Sequence, residues 1–168
     1  GSAALDANTS GVRNTALGAS ALSAIVTTND STAIGYNALI LDTGGENTAV
    51  GSRAADAVTS GVRNVALGTD ALGAAATDND NVAIGYNALL LADGGASNTA
   101  VGSTAANALT SGDNNTALGF NALGAAQTVA DNVAVGKDAL AANVAAQITA
   151  VGSGALAANT SGTKNIAI

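Results

Sequence analysis

The side chains capable of acid–base, nucleophilic or metal chemistry are few in this 168-residue sequence. Twelve Asp and Glu residues stand against five Lys and Arg residues, and there is no His, Cys, Met, Trp or Pro. Without His or Cys, the sequence lacks the usual ligands of zinc, haem and iron–sulfur clusters and has no thiol nucleophile. The carboxylates do not pair at any recurring spacing, so the sequence indicates no acid–base pair. We therefore expect no enzyme activity, no catalytic residue, no cofactor and no metal ion.

The three aromatic residues are the remaining candidates for a ligand contact. Tyr36, Tyr86 and Phe120 each follow directly after a glycine. Their rings could stack against a glycan, or they could fill a corner of the fold or a seam between subunits. The packing role is favoured, because Phe120 has no hydroxyl and equivalent positions elsewhere hold Ala, Ser or Lys.

A five-residue motif recurs along the whole chain and must position all of these side chains. It consists of a polar residue, then Thr, Val or Ile, then Ala, then an aliphatic residue, then Gly, as in Asn81–Gly85. Only Ile148 breaks the polar opening, and the last copy, Asn165–Ile168, stops before its glycine. Successive glycines lie 16 or 17 residues apart, a period typical of a solenoid. The motif glycines are Gly18, Gly35, Gly51, Gly68, Gly85, Gly102, Gly119, Gly136 and Gly152.

The motif reads as a short β-strand followed by a corner. Alternate side chains of a strand point to opposite faces, so the second and fourth positions share one face and the Ala lies on the other. We expect the aliphatic residues to fill the coil, the glycine to turn the corner at positive φ, and the Ala face to pack against neighbouring chains. The predicted trimer-face alanines are Ala16, Ala33, Ala49, Ala66, Ala83, Ala100, Ala117, Ala134 and Ala150.

A second apolar pair, Ala followed usually by Leu, comes three residues after each glycine, as in Ala88-Leu89. It forms the other wall of the coil, as either a short strand or a single helical turn. A helical repeat is disfavoured, because 17 residues cannot hold two helices of useful length. The sequence thus predicts an all-β parallel solenoid of about ten coils. It forms one segment, residues 1–168, and because it starts and stops inside a repeat we expect a longer fibrous protein, with Gly1-Ser2 either native or a cloning remnant.

Net charge and hydropathy exclude two classes of partner. The formal charge of −7 opposes binding to nucleic acid, which requires a basic surface. The uncharged stretch 139–163 is long enough to span a bilayer, but it contains Asn143, Gln147 and Asn159 and keeps the repeat. We therefore expect no nucleic-acid partner and no membrane insertion by this segment.

The motif resembles the head repeat of YadA-like trimeric autotransporter adhesins. It is even more similar to a longer-period version in trimeric tail-fibre-like proteins, as Asn81–Leu89 illustrates. The resemblance covers essentially the whole chain and implies a left-handed parallel β-roll, with three chains side by side around a threefold axis. Val82, Ala83, Ile84 and Gly85 match the family motif as structural positions. The period of 17 residues is longer than that of the adhesin coil.

From this resemblance we expect a structural and adhesive segment of an extracellular trimeric fibre, on a bacterial surface or a virion, that attaches to a host or prey surface. Its partners would be its own copies and a cell-surface glycan or protein receptor. An alternative is an ice-binding or other lattice-binding solenoid, suggested by the Thr residues at the second position, although Val65, Val82 and Val133 interrupt that column. A calcium-loaded β-roll is less favoured, because its glycine-rich nonapeptide is absent.

Overall fold

A computed structural model describes all residues from 1 to 168 and contains ten short strands in one sheet. The strands follow one another in chain order, and each pairs in parallel with the next. The strands are β1 (Thr15–Leu17), β2 (Thr32–Ile34), β3 (Thr48–Val50), β4 (Val65–Leu67), β5 (Val82–Ile84), β6 (Thr99–Val101), β7 (Thr116–Leu118), β8 (Val133–Val135), β9 (Thr149–Val151) and β10 (Ile166–Ala167).

Equivalent motif positions lie directly beside one another throughout the sheet. Ala66 pairs with Ala83, and the same register holds across the shorter 16-residue step, where Ala33 pairs with Ala49. The variation in period is therefore confined to the loops, and the pairing register of the strands does not change. The prediction of an all-β parallel solenoid is confirmed, with about nine turns and no helix.

The second wall of each coil is neither a strand nor a helical turn, so both structures considered from the sequence are wrong. It is a tight series of turns in which Asn87 and Leu89 have φ of +55° and +49°. Leucine in this left-handed region costs about 1–2 kcal/mol. Hydrogen bonds between coils hold it there, because the Leu89 N–H donates to the carbonyl of Ala105 at 3.0 Å. The turn aims the leucine side chain into the coil, where Leu89 is fully buried.

The faces of the strands are opposite to those predicted. Ala83 and its equivalents from Ala33 to Ala150 are buried within the single chain, and Ala16 in the first coil is partly buried. The second and fourth motif positions point outward instead. The physical reason is the thinness of the coil: Leu89 and its equivalents fill the interior from the turn wall, so only a methyl group fits opposite. The alanines therefore do not form an interface with other chains.

The motif glycines combine a special backbone conformation with close contact between coils. Their φ angles lie between +127° and +142°. A Cβ built on Gly85 would lie 2.5 Å from the carbonyl oxygen of Gly102 in the next coil. Both the conformation and the spacing therefore require glycine at this corner.

A ladder of buried asparagines joins the coils beside the sheet. The side-chain oxygen of Asn64 accepts a hydrogen bond from the Asn81 N–H at 3.0 Å, and its amide donates to the Asp78 carbonyl at 2.7 Å. Most other coils repeat this arrangement. The ladder satisfies backbone groups that the tight corners would otherwise leave unpaired.

Asp42 repairs the ladder where Ser31 replaces asparagine. It is fully buried and accepts hydrogen bonds from Ser31 Oγ at 2.9 Å, from Asn47 Nδ2 at 3.0 Å, and from the N–H groups of Gly44 and Gly45. The carboxylate thus replaces a missing carboxamide in one of the two 16-residue coils.

Asp42→Ala is expected to lower the free energy of unfolding by about 2–4 kcal/mol, because four donors lose their acceptor in a buried site. Asp42→Asn should cost much less, since its carbonyl oxygen can keep three donors while Ser31 Oγ accepts from the new amide. Thermal unfolding followed by circular dichroism compares the two variants. Equal melting temperatures for Asp42→Ala and the wild type would contradict this role.

Candidate functional site

The outward side of the sheet is a regular surface that runs through all ten strands. We call it the sheet face and define it as the side chains at the second and fourth motif positions. None of them is charged, and Leu17 and Leu118 are 63% and 46% exposed. Its members are Thr15, Leu17, Thr32, Ile34, Thr48, Val50, Val65, Leu67, Val82, Ile84, Thr99, Val101, Thr116, Leu118, Val133, Val135, Thr149, Val151, Ile166 and Ile168.

The sheet face is unusual for the outside of a protein. Strand spacing of about 4.8 Å makes it on the order of 45 Å long over ten rungs. Isolated exposed aliphatic residues are ordinary, whereas the aliphatic side chains of the fourth motif position form a column along the whole sheet. The aliphatic residues predicted to lie inside the coil thus form its exterior.

Polar columns border the sheet face on both sides. The N-edge column holds the residue two positions before each strand, and the C-edge column holds the residue three positions after it. The N-edge column consists of Arg13, Asp30, Glu46, Arg63, Asp80, Ser97, Asn114, Asp131, Gln147 and Lys164. The C-edge column consists of Ser20, Asn37, Arg53, Asp70, Asn87, Thr104, Asn121, Asp138 and Gly154.

Ion pairs run up each edge from one coil to the next. Arg63 contacts Asp80 in the N-edge column, and Arg53 Nε lies 2.7 Å from Asp70 Oδ1 in the C-edge column. The hydrogen bond from Arg63 holds the pKa of the Asp80 carboxyl below its usual value. Both arginines and Asp80 are exposed and Asp70 is half-buried, so each pair contributes little to stability in one chain.

The three aromatic rings lie at the C-edge, one residue beyond the corner glycine. Tyr36, Tyr86 and Phe120 are 55%, 55% and 52% exposed. They therefore do not fill a corner inside the chain. The sequence identified the residues, but their exposure follows from the turn geometry.

Asp78 lies in a polar stretch of Thr, Asp and Asn residues, a composition that predicts an exposed loop position tolerant of substitution, and this prediction is wrong. It is almost fully buried, and its carboxylate accepts hydrogen bonds from the N–H groups of Gly94 and Gly95. Burial raises the pKa of Asp78, while these hydrogen bonds act in the opposite direction. Asp78 is therefore part of the packing between coils.

One cleft lies outside the sheet face. A cleft of about 260 Å³ is lined by Ala125, Gln127, Thr128, Val129 and Val144, none of which is titratable. No three carboxylates come close enough together to hold a metal ion. The chain forms no helix with the length and hydrophobicity needed to cross a membrane. No protein-family model matches the chain, and no curated protein or solved structure shows significant similarity to it.

Proposed function

We propose that the chain is a structural and adhesive segment of an extracellular trimeric fibre, on a bacterial surface or a virion. Three copies would pack side by side with their sheet faces toward a common axis. The observation that supports this proposal is the uncharged, partly aliphatic sheet face, which runs the length of the solenoid. The left-handed winding and the number three rest on the resemblance to YadA-like heads.

Burial of the sheet face provides the driving force for assembly. Removing a Leu, Ile or Val side chain from water is worth about 1.5–3 kcal/mol when it is fully exposed beforehand. The side chains here are partly exposed, so each contributes a fraction of that value, summed over ten rungs and three chains. The polar edge columns would form the rim of such an interface, an arrangement common in protein assemblies.

The adhesive role requires surface that assembly leaves open. The loops opposite the sheet carry Thr, Ser, Asn and Asp, and would face outward on all three chains. A glycan or a protein receptor is the proposed ligand class, and Tyr36, Tyr86 and Phe120 are candidate contacts where they remain at the rim. Retention of the segment on immobilised cell-surface glycans, with loss of retention in the triple alanine variant, is the expected behaviour.

The particle shape in solution tests the structural role. Small-angle X-ray scattering should report a particle about 45 Å long whose cross-section contains three coils around one axis. A rod one coil wide would contradict the proposed fibre.

Ice or lattice binding is the second candidate, because the Thr side chains of the second motif position lie on the exposed sheet face. Val65, Val82 and Val133 interrupt that column. Thermal hysteresis of ice growth separates the two functions: the fibre proposal expects none, and a clear hysteresis gap would favour ice binding.

A further inference from the structure

We propose that the two edge columns fix the register of assembly. Glu46 and Arg63 of one copy would face Arg53 and Asp70 of the next copy at the same height. The inference rests on the proposed side-by-side assembly and adds which copy-to-copy contacts align it. The partner is a second copy of this chain, parallel and unshifted.

The charges alternate in opposite order along the two edges. Glu46 precedes β3 and Arg53 follows it, so that rung is negative at the N-edge and positive at the C-edge. Arg63 precedes β4 and Asp70 follows it, so the next rung has the opposite arrangement. The two edges are therefore complementary in this part of the stack.

Cyclic symmetry brings these edges together. Rotation about an axis parallel to the stack leaves every rung at its own height. It also places the N-edge of each copy beside the C-edge of the next. Glu46 then meets Arg53 and Arg63 meets Asp70, which gives two attractive contacts at every interface.

The other rungs are compatible with this register. Arg13, Asp30 and Asp80 would meet the uncharged residues Ser20, Asn37 and Asn87 of the neighbour. Asp131 would meet Asp138, but Lys137 lies beside that aspartate, with its Nζ 2.8 Å from the carboxylate. No rung therefore sets two uncompensated like charges against each other.

Registers shifted by one rung are worse. A shift in one direction places Glu46 against Asp70 and keeps a single attraction, Asp30 against Arg53, instead of two. A shift in the other direction places Arg63 against Arg53 and Asp80 against Asp70. Like charges held close together raise the free energy of the shifted assemblies. The unshifted assembly avoids this cost and is therefore favoured over them.

The charged groups remain available for a neighbour. Glu46 is exposed and belongs to none of the ion pairs within the chain. The side chains of Arg53 and Arg63 are 47% and 53% exposed despite their pairs with Asp70 and Asp80. Each can thus accept a second ionic contact without losing the first.

The test reverses the polarity of one pair and keeps the pair itself. The double variant Arg53→Asp with Asp70→Arg preserves net charge and the ion pair within the chain, but it sets like charges against Glu46 and Arg63 of the neighbour. Arg13→Asp with Asp30→Arg is the matched control, because the groups it would face are uncharged. Sedimentation equilibrium at low and high salt measures the assembly of both.

The first double variant should need at least about tenfold more protein to assemble at low salt, with the difference shrinking at high salt, and the control should change much less. Glu46→Gln should weaken assembly in the same direction, and it disturbs no ion pair within the chain. Two results would overturn the register alone, provided that the wild type assembles. One is that both double variants weaken assembly equally; the other is that neither the first double variant nor Glu46→Gln weakens it. Absence of any wild-type assembly would overturn the proposed fibre as well.

Discussion

Ala83→Glu is expected to unfold the solenoid, whereas Ile84→Glu is expected to leave each chain folded and to prevent its assembly. Ala83 is fully buried opposite the turn wall of its own coil, with space for a methyl group only. A carboxylate there is overpacked and without a partner, which costs roughly 4 kcal/mol or more. Ile84 is on the sheet face, so a glutamate at that position remains in water until copies approach.

Circular dichroism and sedimentation together distinguish the two outcomes. Ala83→Glu should lack the β-sheet spectrum already at ambient temperature and should show no cooperative melting on heating. Ile84→Glu should keep its β-sheet spectrum and sediment as a single chain, because three unpaired carboxylates near one axis oppose association. A folded Ala83→Glu monomer beside an unfolded Ile84→Glu variant would show that the faces are assigned the wrong way round.

Gly85→Ala is expected to have the second largest effect. Its φ of +134° disfavours any side chain, and the added methyl carbon would lie 2.5 Å from the Gly102 carbonyl oxygen. The contact forces two coils apart, so we expect a loss of about 3–5 kcal/mol in the free energy of unfolding.

Gly94→Ala is the matched control. Its φ of +112° is also unfavourable, but the nearest atom to the added carbon is Ser111 Cβ at an ordinary 3.7 Å. It should cost about 1–2 kcal/mol from backbone strain alone. Equal melting temperatures for Gly85→Ala and Gly94→Ala would mean that close contact between coils does not matter at the corner.

The period and the in-register pairing of the strands were predictable from the sequence, because identical motif positions stack in any regular solenoid. The direction in which each face points was not. Alternation separates Ala83 from Val82 and Ile84, but all three are apolar, and hydrophobicity alone does not say which set lies inside. The answer depends on the turn wall, where Leu89 adopts a positive φ that a leucine rarely takes.

Among the polar contacts, some were also predictable from the sequence and others were not. The ion pairs between coils were within reach of the sequence, because Asp80 follows Arg63 by 17 residues, one full period. The burial of Asp42 and Asp78 was not, since both lie in stretches that read as solvent-exposed loops. Their hydrogen bonds depend on how a shortened coil or a glycine pair meets its neighbour, and that geometry is set in three dimensions.

The mass of the wild-type particle tests the central claim most directly. Multi-angle light scattering at micromolar concentration should give three times the 15.7 kDa mass of the chain. In a second experiment the segment is fused to a trimeric coiled coil, released by proteolysis and measured in the same way. This excludes slow assembly as the reason for finding only single chains. A particle of three chains is the result expected from burial of the sheet face. A stable particle of one chain in both experiments would contradict it.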